Sequence, residues 1–188
     1  LIAACQPGIL NQQEGFRDEF EYAGAAGGFI DKYGYPFCRG RLFQHLEKDH
    51  GQYNDSREVF WATGACMFVR ASLYHELGGL DDDFFAHMEE IDLCWRMKNA
   101  GYKVMYCAGS KVYHVGGGTL PKKYPKKTYL NFRNNLTLLY KNLPGDRLAR
   151  VYIARIFLDG VAAFKFLLEG SFMSFIAVTR AHVSFLRT

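Results

Sequence analysis

The chain has 188 residues, 49% of them hydrophobic and 16% aromatic, with a net charge of +4 and five cysteines. Length and apolar content suit one core-forming domain and exclude a disordered chain, and the dispersed basic residues, clustered only at Lys122, Lys123, Lys126 and Lys127, argue against nucleic acid as a partner. Cys5, Cys38, Cys66, Cys94 and Cys107 are far apart and include no C-x-x-C pair, which speaks against a zinc or redox motif and fits a reducing cytoplasm.

In chain order, Leu1 to Leu10 is a β-like run ending at Pro7-Gly8, expected to be the unpaired edge of a sheet whose other strands lie outside the chain. No signal-peptide pattern precedes it, and the chain reads as a fragment. Tyr22 to Phe29 is rich in glycine and alanine; its spacing is not that of a phosphate-binding fingerprint, and a loop beside a binding site is the better expectation. Tyr33 to Arg41 and Glu47 to Glu58 read as a long irregular excursion, and Val59 to Arg70 as a buried strand with Thr63-Gly64-Ala65 as a point of close backbone approach. Ala71 to Leu77 is a short helix closed by Gly78-Gly79.

The next helix carries the chemistry. At about 100° per residue, Glu89, Asp92 and Arg96 share one face, while Ile91, Cys94 and Trp95 pack. Glu89 and Glu90 fall in the first turn, where the helix dipole favours the ionised carboxylate that a general base needs; plain capping chemistry is the competing explanation. Beyond Gly101, two short strands are expected at Lys103 to Cys107 and Lys111 to Val115, then His114 leads into Gly116-Gly117-Gly118. Thr128 to Leu143 reads as a helix whose Asn131, Arg133, Asn134 and Asn135 either face phosphate or sugar hydroxyls or form a solvated face. From Asp146 two helices crowded with bulky apolar residues follow, each interrupted by charges well before the ~20 apolar residues a membrane span needs. They read either as interfacial helices on an anionic membrane or as a hairpin packed on the core.

Trp61-Ala62-Thr63-Gly64-Ala65-Cys66, Gly78-Gly79-Leu80-Asp81, Glu89-Glu90-Ile91-Asp92-Leu93-Cys94-Trp95-Arg96 and Gly101-Tyr102, in this order and spacing, resemble the second half of family 2 glycosyltransferases of the rhamnosyltransferase-like branch. The resemblance implies an α/β fold: a partial GT-A domain over residues 1–145, lacking its N-terminal nucleotide-binding half, with the helical tail over 146–188, membrane-associated or packed on the core, following it. It implies inverting transfer of a sugar from a dTDP- or UDP-linked donor to a hydroxyl of a growing, lipid-linked glycan of the cell envelope, on the cytoplasmic face of the cell membrane. Glu90 stands where such enzymes carry their base, with Glu89 and Asp92 as the other acidic candidates. Trp61, Thr63, Gly64, Ala65, Arg96, Gly116 and Gly117 would contact substrate, and His114 would help hold a divalent ion, Mg or Mn, whose Asp-x-Asp partner motif does not occur in this chain. The isolated fragment is expected to be inactive.

Two other classes compete. A carbohydrate-binding module would use the same aromatics and glycines without needing the carboxylates. A metal-dependent hydrolase would need a second histidine at ligand spacing, and no H-E-x-x-H or H-x-x-E-H pattern occurs.

Overall fold

The structure is a computed structural model that describes residues 1–116 and 125–187. Its strands are β1 (Ile2–Asn11), β2 (Gly28–Ile30), β3 (Pro36–Cys38), β4 (Arg41–Leu42), β5 (His45–Leu46), β6 (Arg57–Val59), β7 (Phe68–Val69) and β8 (Lys103–His114). Its helices are α1 (Ala71–Glu76), α2 (Glu89–Asn99), α3 (Pro125–Asn142), α4 (Gly145–Leu168) and α5 (Phe172–Phe185). The fold is mixed α/β, and the chain divides into two compact units. One holds Leu1–Asp31, Pro36–Asp81 and the segment from α2 through β8; the other holds Lys32–Tyr35, Asp82–Met88 and α3 to α5. Compactness groups α3 with the two helices after it.

In the first unit a four-stranded sheet has the order β6-β8-β1-β7. The strand expected to be an open edge lies inside this sheet. β1 runs parallel to β8 along its length, and its other side pairs with β7 at Ala4 and Cys5 and with the 19–25 segment through Glu21 N to Ile9 O (2.9 Å) and Ile9 N to Ala25 O (3.0 Å). Burial on both faces accounts for its nearly continuous small and apolar run. Pro7-Gly8 does not end the strand; the pairing jumps there from Pro7↔Cys107 to Gly8↔Lys111. Proline lacks a ladder donor and is tolerated at such an irregularity. The two short strands expected at 103–107 and 111–115 are consequently one strand, β8, with Ala108 to Ser110 bulged out of register.

Val59 to Arg70 is not one strand. Only β6 and β7 are extended, and Thr63 to Cys66 forms a turn closed by Cys66 N to Thr63 O (3.2 Å). The glycine-rich run is packed against this segment. A Cβ on Gly28 would lie 2.1 Å from the Trp61 indole, and one on Gly24 (φ +92°) would lie 2.4 Å from Thr63 Cβ. Glycine there admits a bulky neighbour, so the run's composition has a packing cause.

In the second unit, α4 and α5 meet around two fully buried charges. Arg155 Nη2 lies 3.2 Å from Asp159 Oδ2, and Asp159 also accepts from Tyr35 Oη (2.6 Å) and sits 3.0 Å from His182 Nε2. Arg155 donates further to Asn135 Oδ1 and to Tyr33 O, and Asn135 donates to Gly34 O (2.8 Å), which joins α3, α4, α5 and the 32–35 segment in one network. Burial pushes the Asp159 carboxyl up, but the bonds from His182, Arg155 and Tyr35 outweigh it and hold it below its ordinary value.

Candidate active site at the start of the acidic helix

α2 begins at Glu89, as its acidic first turn predicts, and buries Ile91, Leu93, Cys94, Trp95 and Met97. That face anchors the helix to the sheet unit, with Ala62 N donating to Cys94 Sγ (3.4 Å) and the Trp95 ring edge-on to Phe60 at 5.2 Å. The first turn lies against the 62–65 turn, whose shape comes from a buried glutamine. Gln6 Oε1 accepts from Thr63 N (2.9 Å), Gln6 Nε2 donates to Gly24 O (3.3 Å), and Thr63 Oγ1 accepts from Ala65 N (3.2 Å). Gly64 is thereby presented to the helix, with room for a Cβ only 3.9 Å from Glu90 Cβ and Cγ.

Glu90 is the group this arrangement perturbs. Glu90 is half-buried, with the backbone N–H groups of Gly64, Ile91 and its own residue near its carboxylate, while Oε2 is sealed from water without a partner. Burial pushes its pKa up from 4.5 to about 7, the neighbouring Glu89 adds to the rise, and the backbone N–H groups only partly oppose it. The helix dipole, expected from sequence to keep this group ionised, is worth about 0.3–1 kcal/mol. The upward shift corresponds to about 3 kcal/mol, so burial wins and Glu90 is poised between its charged and neutral forms near neutral pH. Glu89 Oε2 is also sealed and without a partner.

Several candidate residues have structural work instead. Asp92 is 1% exposed and lies 2.7 Å from Arg96 Nε, and Arg96 also donates to Leu77 O and, at 2.7 Å, to Gly79 O. The pair ties α2 to the turn after α1, with the Asp92 carboxylate buried and the Arg96 side chain 26% exposed. Trp61 is 5% exposed and its indole N–H donates to Phe29 O (2.8 Å), so its ring belongs to the core and offers no stacking face. Thr63 is likewise buried, whereas Gly64 lies beside Glu90.

His114 ends β8, where its Nδ1 lies 3.3 Å from Glu21 Oε2 without a hydrogen bond, and that oxygen accepts from Ala23 N (2.6 Å). A Cβ on Gly116 would fall 2.2 Å from Glu21 Oε1, so this glycine brings the chain over the carboxylate. Gly117 lies outside the described residues. A divalent ion needs several oxygen or nitrogen ligands, and among the described residues no group of three His, Cys, Asp or Glu side chains could hold one. His114 and Glu21 do not fit a metal by themselves.

In the second unit, Asn134 is fully buried, and its Nδ2 lies 2.7–2.8 Å from the carbonyls of Phe84, Ala86 and His87. Phe85, His87 and Met88 are all left-handed (φ 61°, 71° and 77°), a strained path for non-glycine residues that Asn134 holds in place immediately before Glu89 in the chain. Asn134 and Asn135 therefore bond to protein backbone, and neither the substrate-facing nor the solvated alternative describes these two. Gln6 and Glu21 were not legible as site-builders. Gln6 alone left a trace, a polar residue in an otherwise buried run.

Residues 40–134 match the family described as "Glycosyltransferase like family 2", half of the chain, and the protein belongs to that family. Its curated relatives are sugar transferases of the rhamnosyl and hexosyl type. The N-acetylglucosaminyl-diphospho-decaprenol L-rhamnosyltransferase of Mycobacterium tuberculosis is 38% identical over 58 residues, 31% of this chain and 19% of that protein. The low-salt glycan biosynthesis hexosyltransferase Agl10 of Haloferax volcanii is 29% identical over 105 residues, 53% of this chain and 34% of that protein. The rhamnosyltransferase WbbL of Escherichia coli is 36% identical over 62 residues, 33% and 23% of the two chains. The chain thus aligns with a fifth to a third of the length of these relatives.

Proposed function

We propose that the intact protein transfers a sugar, rhamnose or another hexose, from a dTDP- or UDP-linked donor to a hydroxyl of a lipid-linked glycan, with inversion, and that Glu90 is the base. The observation that carries this reading is the place of Glu90 in a family 2 chain, in the first turn of α2 beside Gly64 of the 62–65 turn, where burial pushes its pKa up to about 7. The acceptor oxygen attacks the anomeric carbon from the face opposite the nucleotide and forms the new C–O bond. The bond to the diphosphate breaks with its electron pair, and the acceptor proton passes to Glu90. One displacement inverts the centre. Any divalent ion that neutralises the leaving diphosphate would take ligands beyond His114 and Glu21. The test is NMR of the product made by the intact protein from a panel of nucleotide-sugars and a lipid-linked acceptor. A single glycoside of inverted configuration is expected; a retained configuration, or free sugar released without acceptor, contradicts the proposal.

A second element of the proposal is attachment to the inner face of the membrane, favoured by the outer side of α4. Ile153, Ile156, Phe157, Val161, Phe164 and Leu168 form an exposed stripe at helical spacing, accompanied by exposed Arg147, Arg150, Arg180 and Arg187. No helix among the described residues is long and apolar enough to cross a membrane. The intact protein is expected to sediment with anionic vesicles, and Phe157→Glu with Phe164→Glu to release it, since ~3 kcal/mol or more of apolar burial is lost. Equal sedimentation of both proteins contradicts the attachment.

A further inference from the structure

The helical unit contains a cavity that the proposed sugar transfer does not use. It has a volume of about 710 Å³ and lies among α3, α4, the end of α5 and Asp83. This is within the ~300–1,000 Å³ range of small-molecule sites. One wall is aromatic: Phe185 lies 6.1 Å from Tyr140 and 5.4 Å from Tyr152 between ring centres, and Leu148, Ala149 and Leu186 extend the apolar lining. Among the described residues, the charged end has two cations around one carboxylate. Arg133 Nη1 donates to Asp83 O (2.8 Å) and Lys141 Nζ lies 2.8 Å from Asp83 Oδ2. The local balance of these three groups is one positive charge.

Arg133 and Tyr152 both line this cavity. Apolar walls with a positive end suit an anionic head on an apolar chain. A nucleotide or a free sugar would leave most of its polar groups facing Tyr140, Leu148 and Phe185.

We infer that this cavity binds a phosphorylated lipid, its chain along Tyr140, Tyr152 and Phe185 and its phosphate at Arg133, as the carrier portion of the acceptor. The inference rests on the lipid-linked acceptor proposed above. The chemistry is shared by an isoprenyl phosphate and a membrane phospholipid, and the test separates them.

Farnesyl phosphate, monomeric and without detergent, is titrated calorimetrically into the intact protein. Saturable one-site binding is expected. Arg133→Met should weaken it about tenfold by removing a charge-assisted bond, and Ala149→Trp, which fills the apolar side, should abolish it with the melting curve unchanged. Inorganic phosphate should give no comparable binding. Glu90→Gln, outside this cavity, should bind farnesyl phosphate normally while failing to transfer sugar, so failure of the cavity assignment and failure of the base assignment are separable. No saturable heat, binding indifferent to both cavity substitutions, or inorganic phosphate binding as tightly as the lipid overturns the inference. Tighter binding of dihexanoyl phosphatidic acid, with the same sensitivity to Ala149→Trp, assigns the cavity to membrane phospholipid and overturns its role as the acceptor's carrier site.

Discussion

Glu90→Gln is expected to lower the single-turnover rate of the intact protein by about 10² to 10⁴, the usual contribution of a positioned general base, with donor affinity nearly unchanged. The substitution keeps the shape of the side chain and its contact with Gly64 but cannot take a proton. It should also stabilise the fold at alkaline pH. The folded pKa of Glu90, about 7, lies above its ordinary 4.5, so folding favours the neutral form. That contribution is whole below about pH 4.5 and is lost as pH rises through about 7, leaving a buried charge that costs about 3 kcal/mol at pH 8.5. The glutamine variant, always neutral, should therefore melt several degrees above the parent at pH 8.5 and within about a degree of it at pH 4.5. Loss of activity accompanied by higher stability marks a group held in an unfavourable state for function. An inactive variant that is also less stable at pH 8.5 would make Glu90 a structural residue.

Asp159→Asn should produce the largest change in stability. The substitution leaves Arg155, 1% exposed, without its counter-charge, and breaking a buried pair in this way costs about 3–5 kcal/mol. The expected fall in Tm is on the order of 10 °C. Because the pKa of Asp159 is depressed by folding, the contribution is present above the ordinary aspartate pKa of 3.8 and is lost as pH falls through the lower folded value. The deficit of the variant should shrink correspondingly in acid. Arg155→Met combined with Asp159→Leu should recover part of the loss, but Tyr35, His182 and Asn135 would still lack the partners they have now. A Tm within about a degree of the parent for Asp159→Asn would show that the network contributes nothing net.

The elements legible in the sequence were those specified locally. The first turn of α2, the glycine stop at Gly101, the span of α3 and the pair of apolar helices follow from spacing and composition, and the family follows from motifs in order. What sequence could not supply was set by partners distant along the chain. Trp61 became a core residue because Gly28, 33 positions earlier, leaves room for its ring. Asp92 and Arg96 were consumed by each other and by the carbonyls of the 77–79 turn. Only the enclosure of Glu90 by the 62–65 turn reverses the expectation drawn from its place near the helix dipole. Periodicity carries no information about such long-range contacts, nor about the bulge that merged two expected strands into β8.

The central claim, that Glu90 takes the acceptor proton, is tested most directly by the pH dependence of single-turnover transfer at saturating donor. A base must be deprotonated, so the parent rate should rise with pH and level off with a midpoint near 7. Removing the like charge with Glu89→Gln should move that midpoint down, because Glu89 helps to raise the Glu90 pKa. Glu90→Gln should be slow at every pH. A parent rate that is flat from about pH 5.5 to 8.5, or a midpoint near 7 that survives in Glu90→Gln, would contradict the assignment.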